Sequence, residues 1–408
     1  MDRRQLRDFD VPLFLATLAL VVVGLLMVYS ATHGPGGIGG LSPLLARQLT
    51  VALLGLVVVG ATLFVTQDTL EALSPVLYGL LMLLLLAVLV VGVGKTGERR
   101  WFELGPLRFQ PSELAKYVVI LLLARYLARR KTRLDRPLHL AVPVLLVLLP
   151  AGLVLLEPDL GTSVIFLLIL PPMLYWAGLK PAYLLLLLTP VLSMLLAFNW
   201  IAWSVFLVAL AWALYVSRMF VIDKLTVLGV NAVTGRLSPF LWSRLEEYQR
   251  HRILAFVNPE KYRFSTGYQL IQSKIAVGSG SAIGKGFLQG TQKNYAFLPE
   301  QHTDFIFSVL AEEFGFLGCV IVLGLYLFLV VRMFQLAGQV RNRFASLVIV
   351  GVASTLFIQS VVNIGVTLGL SPVTGMPLPL LSYGGSSLLV TLLSIGIVLG
   401  MSMRRMEY

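Results

Sequence analysis

Long apolar runs separated by short polar connectors recur from one end of the chain to the other. A helix needs roughly 20 apolar residues to cross a bilayer. Segments of about that size occupy 11–30, 46–66, 73–94, 112–128, 138–156, 161–178, 181–198, 200–217, 305–331, 344–370 and 385–403. A further stretch, 220–242, is interrupted by Asp223, Lys224 and Arg236, so it reads as a span, a surface helix or a re-entrant loop. The first run follows Arg3, Arg4 and Arg7 in the manner of a signal peptide. It is long, however, and no clear small-x-small site follows it, which predicts a retained anchor. The expected fold is all-α, a polytopic transmembrane helical bundle forming a single integral membrane domain over 1–408.

Composition strengthens this expectation. Hydrophobic residues are 57% of the 408 positions and charged residues 13%, against about 25% charged in soluble domains. No αβ nucleotide domain fits among the spans, which argues against a soluble nucleotide-sugar transferase. The single cysteine, Cys319, excludes an intramolecular disulfide framework. The net charge of +12 is scattered among loops between spans, so membrane lipid rather than nucleic acid is the expected anionic partner.

Lys/Arg bias of short loops sets the orientation. The N-terminus, the connector Arg129-Arg130-Lys131-Thr132-Arg133, the connector with Arg332, Arg341 and Arg343, and the tail Met403-Arg404-Arg405 are strongly basic. Placing all four in the cytoplasm requires an even number of spans between 181 and 304 beyond a ten-span core. The segments 200–217 and 220–242 would supply that pair, and an interfacial insertion is the alternative. On this topology 95–111, 157–160, 243–303 and 371–384 face outward. Two of these are basic: 95–111 with Lys95, Arg99, Arg100 and Arg108, and the long loop with Arg244, Arg250, Arg252, Lys261, Arg263, Lys274, Lys285 and Lys293. Either they are merely solvated, or they hold an anion at that face, for which a lipid-linked phosphate is the natural candidate.

Several polar groups enter spans. Pro111 suits a helix start, and Glu113 and Lys116 share a face three residues apart. They form either a structural ion pair or a polar pocket for a head group, since ionisable groups in hydrocarbon normally pair or line a cavity. Asp159 is placed to cap a helix or to face the same outer cavity. The glycines of Gly278–Gly286 are a weak phosphate signal, and a flexible loop is the plainer alternative. Ser382–Ser387 reads as a close turn and cap. In Leu298–Phe305, Pro299 predicts a helix start that would put Glu300 and Asp304 one turn apart, with Asp304, a helix-capping carboxylate or a functional acid, near head-group level if the helix runs unbroken.

These blocks together resemble the SEDS family of membrane glycosyltransferases (shape, elongation, division and sporulation). The matching segments are Phe109–Lys116, Pro158–Ser163, Gly267–Lys274, Leu298–Phe305 and Pro377–Gly385, in family order. Gly284-Lys285-Gly286-Phe287 followed by Gly290-Thr291-Gln292 is similar to the elongation branch. Two departures stand out: Ser281 where a glycine is usual, and 199–243 as an insertion relative to ten-span members. The resemblance implies polymerisation of lipid II, the undecaprenyl-diphosphate-linked disaccharide-pentapeptide, with a class B penicillin-binding protein as partner. It also implies a site on the outer face of the cytoplasmic membrane, with Asp304 as the essential aspartate and Asp159, Glu113 and Lys116 as cavity residues.

Such a reaction needs a base at the acceptor hydroxyl and positive charge at the departing diphosphate. Asp304 is the expected catalytic base, and Arg100, Arg108, Lys116 and Lys274 are the expected cations, with a divalent cation as substitute or assistant. Nearby cations favour ionised Asp304, which weakens it as a base. A lipid flippase is the rival class, because broken helices and a basic cavity would serve transport too, and a scaffold that only recruits the transpeptidase is a third.

Overall fold

The computed structural model describes residues 8–33, 42–94, 99–104, 107–129, 137–217, 219–264, 266–295 and 297–405. Arg3, Arg4, Arg7, Lys95, Arg130, Lys131 and Arg133, which entered the charge argument, lie outside them. The helices are α1 (Val11–Thr32), α2 (Pro43–Thr62), α3 (Gln67–Val91), α4 (Pro111–Ala128), α5 (Ala141–Leu156), α6 (Leu160–Trp176), α7 (Pro181–Leu196), α8 (Trp200–Val216), α9 (Val221–Arg244), α10 (Glu247–Val257), α11 (Thr266–Ser279), α12 (Thr291–Asn294), α13 (Ile306–Gln339), α14 (Arg343–Leu368) and α15 (Gly385–Met403). Among the described residues seven helices are long and apolar enough to cross a membrane: α1, α2, α3, α5 with its preceding turn, α13, α14 and α15. The chain is an all-α, multi-pass membrane bundle. Among the described residues the only sheet is a hairpin of β1 (Phe102–Leu104) and β2 (Leu107–Phe109), within the loop between α3 and α4.

Small residues let the helix backbones approach, which is how bundles pack where lipid supplies no hydrophobic drive between helices. A Cβ on Gly351 of α14 would meet Ile120 of α4 at 2.4 Å, and one on Gly55 of α2 would meet Leu392 of α15 at 2.3 Å. On one face of the bundle, Arg332 of α13 bonds Asp10, the cap of α1, at 2.7 Å, and Arg405 bonds Asp8 at 2.6 Å. The 332–343 connector, the tail and the start of α1 therefore share a face.

The 199–243 region is helical and packs on α7. Asn231 of α9 donates to Thr189 Oγ1 at 2.9 Å, and Ser238 donates to the Met194 carbonyl at 2.8 Å. The paired positions rise together, so α7 and α9 run in the same direction, and Trp203 of α8 reaches Ser193 at 2.9 Å between them.

Two expectations fail in the segment around Asp304. No helix starts at Pro299: residues 299–305 form turns, Glu300 has φ +53°, and the helix begins at Ile306. Nor does α13 run unbroken. Gly315 has φ +62° and ψ −161°, which interrupts the helix and frees backbone groups on both sides. The Gly278–Gly286 loop fills that break and is packed, with Gly284 so close to Glu313 that a Cβ would lie 2.1 Å from its carbonyl oxygen.

Ser281 in this loop has φ +51°, a left-handed backbone conformation that costs a non-glycine residue roughly 1 kcal/mol. Ser281→Gly is therefore expected to raise the thermal unfolding midpoint of the detergent-purified protein by an amount equivalent to less than about 1 kcal/mol, because the freer unfolded glycine offsets part of the relieved strain. An unchanged or lower midpoint would show that the serine is not strained.

Candidate functional site

The turn bearing Asp304 is fixed by the loop before α15. Tyr383 N–H donates to the His302 carbonyl at 2.9 Å, Ser382 Oγ to the Thr303 carbonyl at 2.5 Å, and Asn363 Nδ2 of α14 to the Asp304 carbonyl at 2.9 Å. Gln48 of α2 braces that loop in turn, donating to the Ser382 carbonyl at 3.1 Å and accepting from Gly384 N–H at 3.2 Å. Buried backbone groups are thus satisfied by named side chains, so Asp304 sits on a defined support rather than a free loop.

Asp159 forms a second wall. One carboxylate oxygen accepts from Thr162 N–H at 3.0 Å and caps α6; the other accepts from Thr162 Oγ1 at 2.8 Å and Gln110 Nε2 at 3.2 Å. Beside it, the Pro158 carbonyl accepts from Arg100, from Tyr248 Oη at 2.6 Å and from Gln249 Nε2 at 3.2 Å. Arg100 also donates to the Glu157 carbonyl at 2.7 Å and to Tyr248 at 2.7 Å. A shallow cleft opens here, lined by Arg100, Asp159, Tyr248, Arg252 and Thr374 among others. The Thr374 hydroxyl is buried there with no hydrogen-bond partner among the described residues.

Burial pushes the Asp304 carboxyl up from 3.8 to about 6; Arg252 opposes the rise, while Glu300 and Asp159 reinforce it. The expected outcome, that cations would keep Asp304 an ordinary weak base, is therefore corrected: one arginine does not outweigh burial and two carboxylates. Glu157 goes further. Its side chain is fully buried, and neither oxygen finds a hydrogen-bond partner among the described residues. Burial first, then Asp159, raise it to about 9 against the pull of Arg100, so it is neutral at pH 7.

Of the residues singled out from sequence, Asp159 and Arg100 line this cleft, and Asp304 stands within electrostatic range of its Arg252 and Asp159. Glu113 and Lys116 lie one turn into α4 below Gln110, paired with each other at 2.9 Å and buried, so the ion pair exists and the Lys116 ammonium is already matched. Arg108 is not brought in: it is 60% exposed and bonds Glu103 across the hairpin at 2.8 Å. Lys274 lies instead against Gly369 at the end of α14. The cation that sequence reasoning passed over is Arg252. It stacks on Tyr248 at 5.5 Å, lies against Gly375 and acts electrostatically on Asp304. Among the described residues no three His, Cys, Asp or Glu side chains gather as a metal site.

A family model described as cell cycle protein, FtsW/RodA/SpoVE, matches residues 11–209 and 202–407. The chain is 35% identical over 398 residues to peptidoglycan glycosyltransferase MrdB of Escherichia coli K12, covering 97% of this chain and 94% of that protein. It is 34% identical over 439 aligned positions to peptidoglycan glycosyltransferase RodA of Treponema pallidum, covering both chains fully. Among solved structures it matches a chain from a peptidoglycan synthase complex that coordinates polymerization and crosslinking, with TM-score 0.74, 34% identity and 98% and 99% of the two chains covered. The rod shape determining protein RodA of Thermus thermophilus matches with TM-score 0.65, 31% identity and 98% of each chain.

Proposed function

Because the chain belongs to the FtsW/RodA/SpoVE family of cell cycle proteins, we propose that this peptidoglycan glycosyltransferase polymerises lipid II into glycan strands during cell elongation. The observation that carries the chemistry is Asp304, held on a braced turn with its carboxyl near 6 and Arg252 opposite. At neutral pH it is ionised, yet more basic than an ordinary aspartate, which suits a group that accepts the proton of an attacking hydroxyl. Arg252 and Arg100 supply the positive charge on which the departing diphosphate is stabilised. Asp159 orients the acceptor, and the buried Glu113–Lys116 pair holds α4 in place beneath it.

The basic segments around this cleft support an outer-face site in the cytoplasmic membrane. The common direction of α7 and α9 supports 199–243 as two further spans, which keeps 95–111 and 244–303 on that face. If a divalent cation assists, Asp304 would hold it in place of acting as base, with Asp159 as the nearest further carboxylate. The cation would supply further charge at the leaving group. A class B penicillin-binding protein is the proposed crosslinking partner, supported by the likeness to a synthase complex.

Purified protein, with and without that partner, is to be given lipid II. Glycan product is the expected result. Head-group translocation in liposomes without polymer would favour a flippase, and neither outcome would leave a scaffold; both would overturn the proposal.

A further inference from the structure

The break at Gly315 poses an accounting problem. Interrupting a helix leaves carbonyls on one side and N–H groups on the other without partners, and hydrocarbon offers none. The loop after α11 answers on both sides. Lys285 N–H and Gly286 N–H donate to the Glu312 and Glu313 carbonyls at 3.0 Å each. The Ser281 and Ala282 carbonyls accept from Phe316 N–H at 2.9 Å and Leu317 N–H at 3.1 Å. Residues 281–286 are therefore fixed at the height of Gly315.

Two rulers measure that height from a common origin. The Asp10–Arg332 ion pair joins α1 and α13 at the opposite face. From Arg332 up to Gly315 is about 26 Å of helix, and from Asp10 up to Tyr29 about 28 Å. Tyr29 stacks on Phe287, directly after the loop, with ring centroids 6.3 Å apart. Both helices thus bring the loop to the far edge of a hydrocarbon layer roughly 30 Å thick. There Ile283 is 81% exposed, beside Phe316 at 71% and Leu317 at 59%.

We propose that Ser281–Gly286 is a bilayer-inserted segment whose Ile283 contacts the acyl chains just below the head groups, anchoring the catalytic loop to the lipid surface. The partner is lipid, because the exposed neighbours on α13 are apolar and the loop itself pairs two carbonyls and two N–H groups of the break. The anchor also limits where Asp304 can sit, since only about 14 Å of helix from Ile306 and two turn residues separate it from Gly315. Inserted this way, the loop holds the reactive carboxyl within reach of a phosphate at the membrane surface.

Site-directed spin labelling in liposomes tests this. In a Cys319→Ala background, nitroxides at Ile283→Cys, Leu317→Cys and Lys261→Cys are compared for collision with oxygen and with a water-soluble nickel chelate. The expected oxygen-to-nickel ratio at Ile283 matches that at Leu317 and is several-fold above that at Lys261. A ratio at Ile283 equal to that at Lys261 overturns the proposal. If the Ile283 label prevents folding, Ala282→Cys, also exposed on the loop, gives the same two outcomes. Neither outcome depends on glycan synthesis, so the insertion and the enzymatic reading fail separately.

Discussion

Asp304→Asn is expected to lower glycan polymerisation by about 10²–10⁴-fold, the range over which a positioned base acts. The amide keeps the shape of the side chain, and the turn is held by the Asp304 carbonyl rather than its carboxylate, so Asn363 retains its bond. The pH dependence follows from the raised carboxyl. The base works only when ionised, so wild-type activity should rise with pH on a limb centred near 6 and then level off. Stability runs the other way. The folded state holds the Asp304 proton more tightly than the unfolded chain does, so stability is highest below about 4 and is lost as pH rises through 6. Above that pH the asparagine variant should melt no lower than wild type, and up to about 2–3 kcal/mol in its favour is the ceiling. Near-normal polymerisation by the variant, with its partner present, would sink the base assignment.

How much of this was legible along the chain depended on how local each signal was. Pro111 opens α4 and Asp159 caps α6 as the residue types demand, because both devices act within one turn. The apolar runs located the helices for the same reason. The break in α13 was not legible: a lone glycine in an apolar run is common, and its meaning comes from a loop some 30 residues earlier. Arg252 was one of eight cations in the long loop, and only its packing against Tyr248 and Gly375 separates it from the others. Lys274 and Arg108 had the right charge in the right blocks, yet α11 turns one toward Gly369 and the hairpin gives the other to Glu103. Glu157 was overshadowed by Asp159 two residues on, since nothing in the sequence reveals that its carboxyl is wholly enclosed. The environment of Asp304 was misjudged because loop charge could be counted but burial could not.

Lys293→Met is expected to be the most damaging substitution outside the cleft, costing about 3–5 kcal/mol by thermal or denaturant unfolding in detergent. Lys293 and Glu313 are both buried, 2.8 Å apart, and Ser30 of α1 bonds each of them, at 2.8 and 2.6 Å. Removing the ammonium leaves the Glu313 carboxylate enclosed with only a hydroxyl for company. The double variant Lys293→Met/Glu313→Leu removes both charges and should recover much of the loss, because the cost lies in the stranded ion rather than in the absence of the pair. Lys285→Met makes the contrast. Glu312 keeps N–H donors from Thr291 at 2.8 Å and Gln292 at 3.0 Å after its lysine is gone, and Lys285 is 27% exposed, so a smaller loss is expected. If the Lys293 variant unfolds no more easily than the Lys285 variant, the buried pair is not what ties α1 to the broken helix. The contacts of Tyr29 with Phe287 and of Ala31 with Gln301 would then have to hold α1 there unaided.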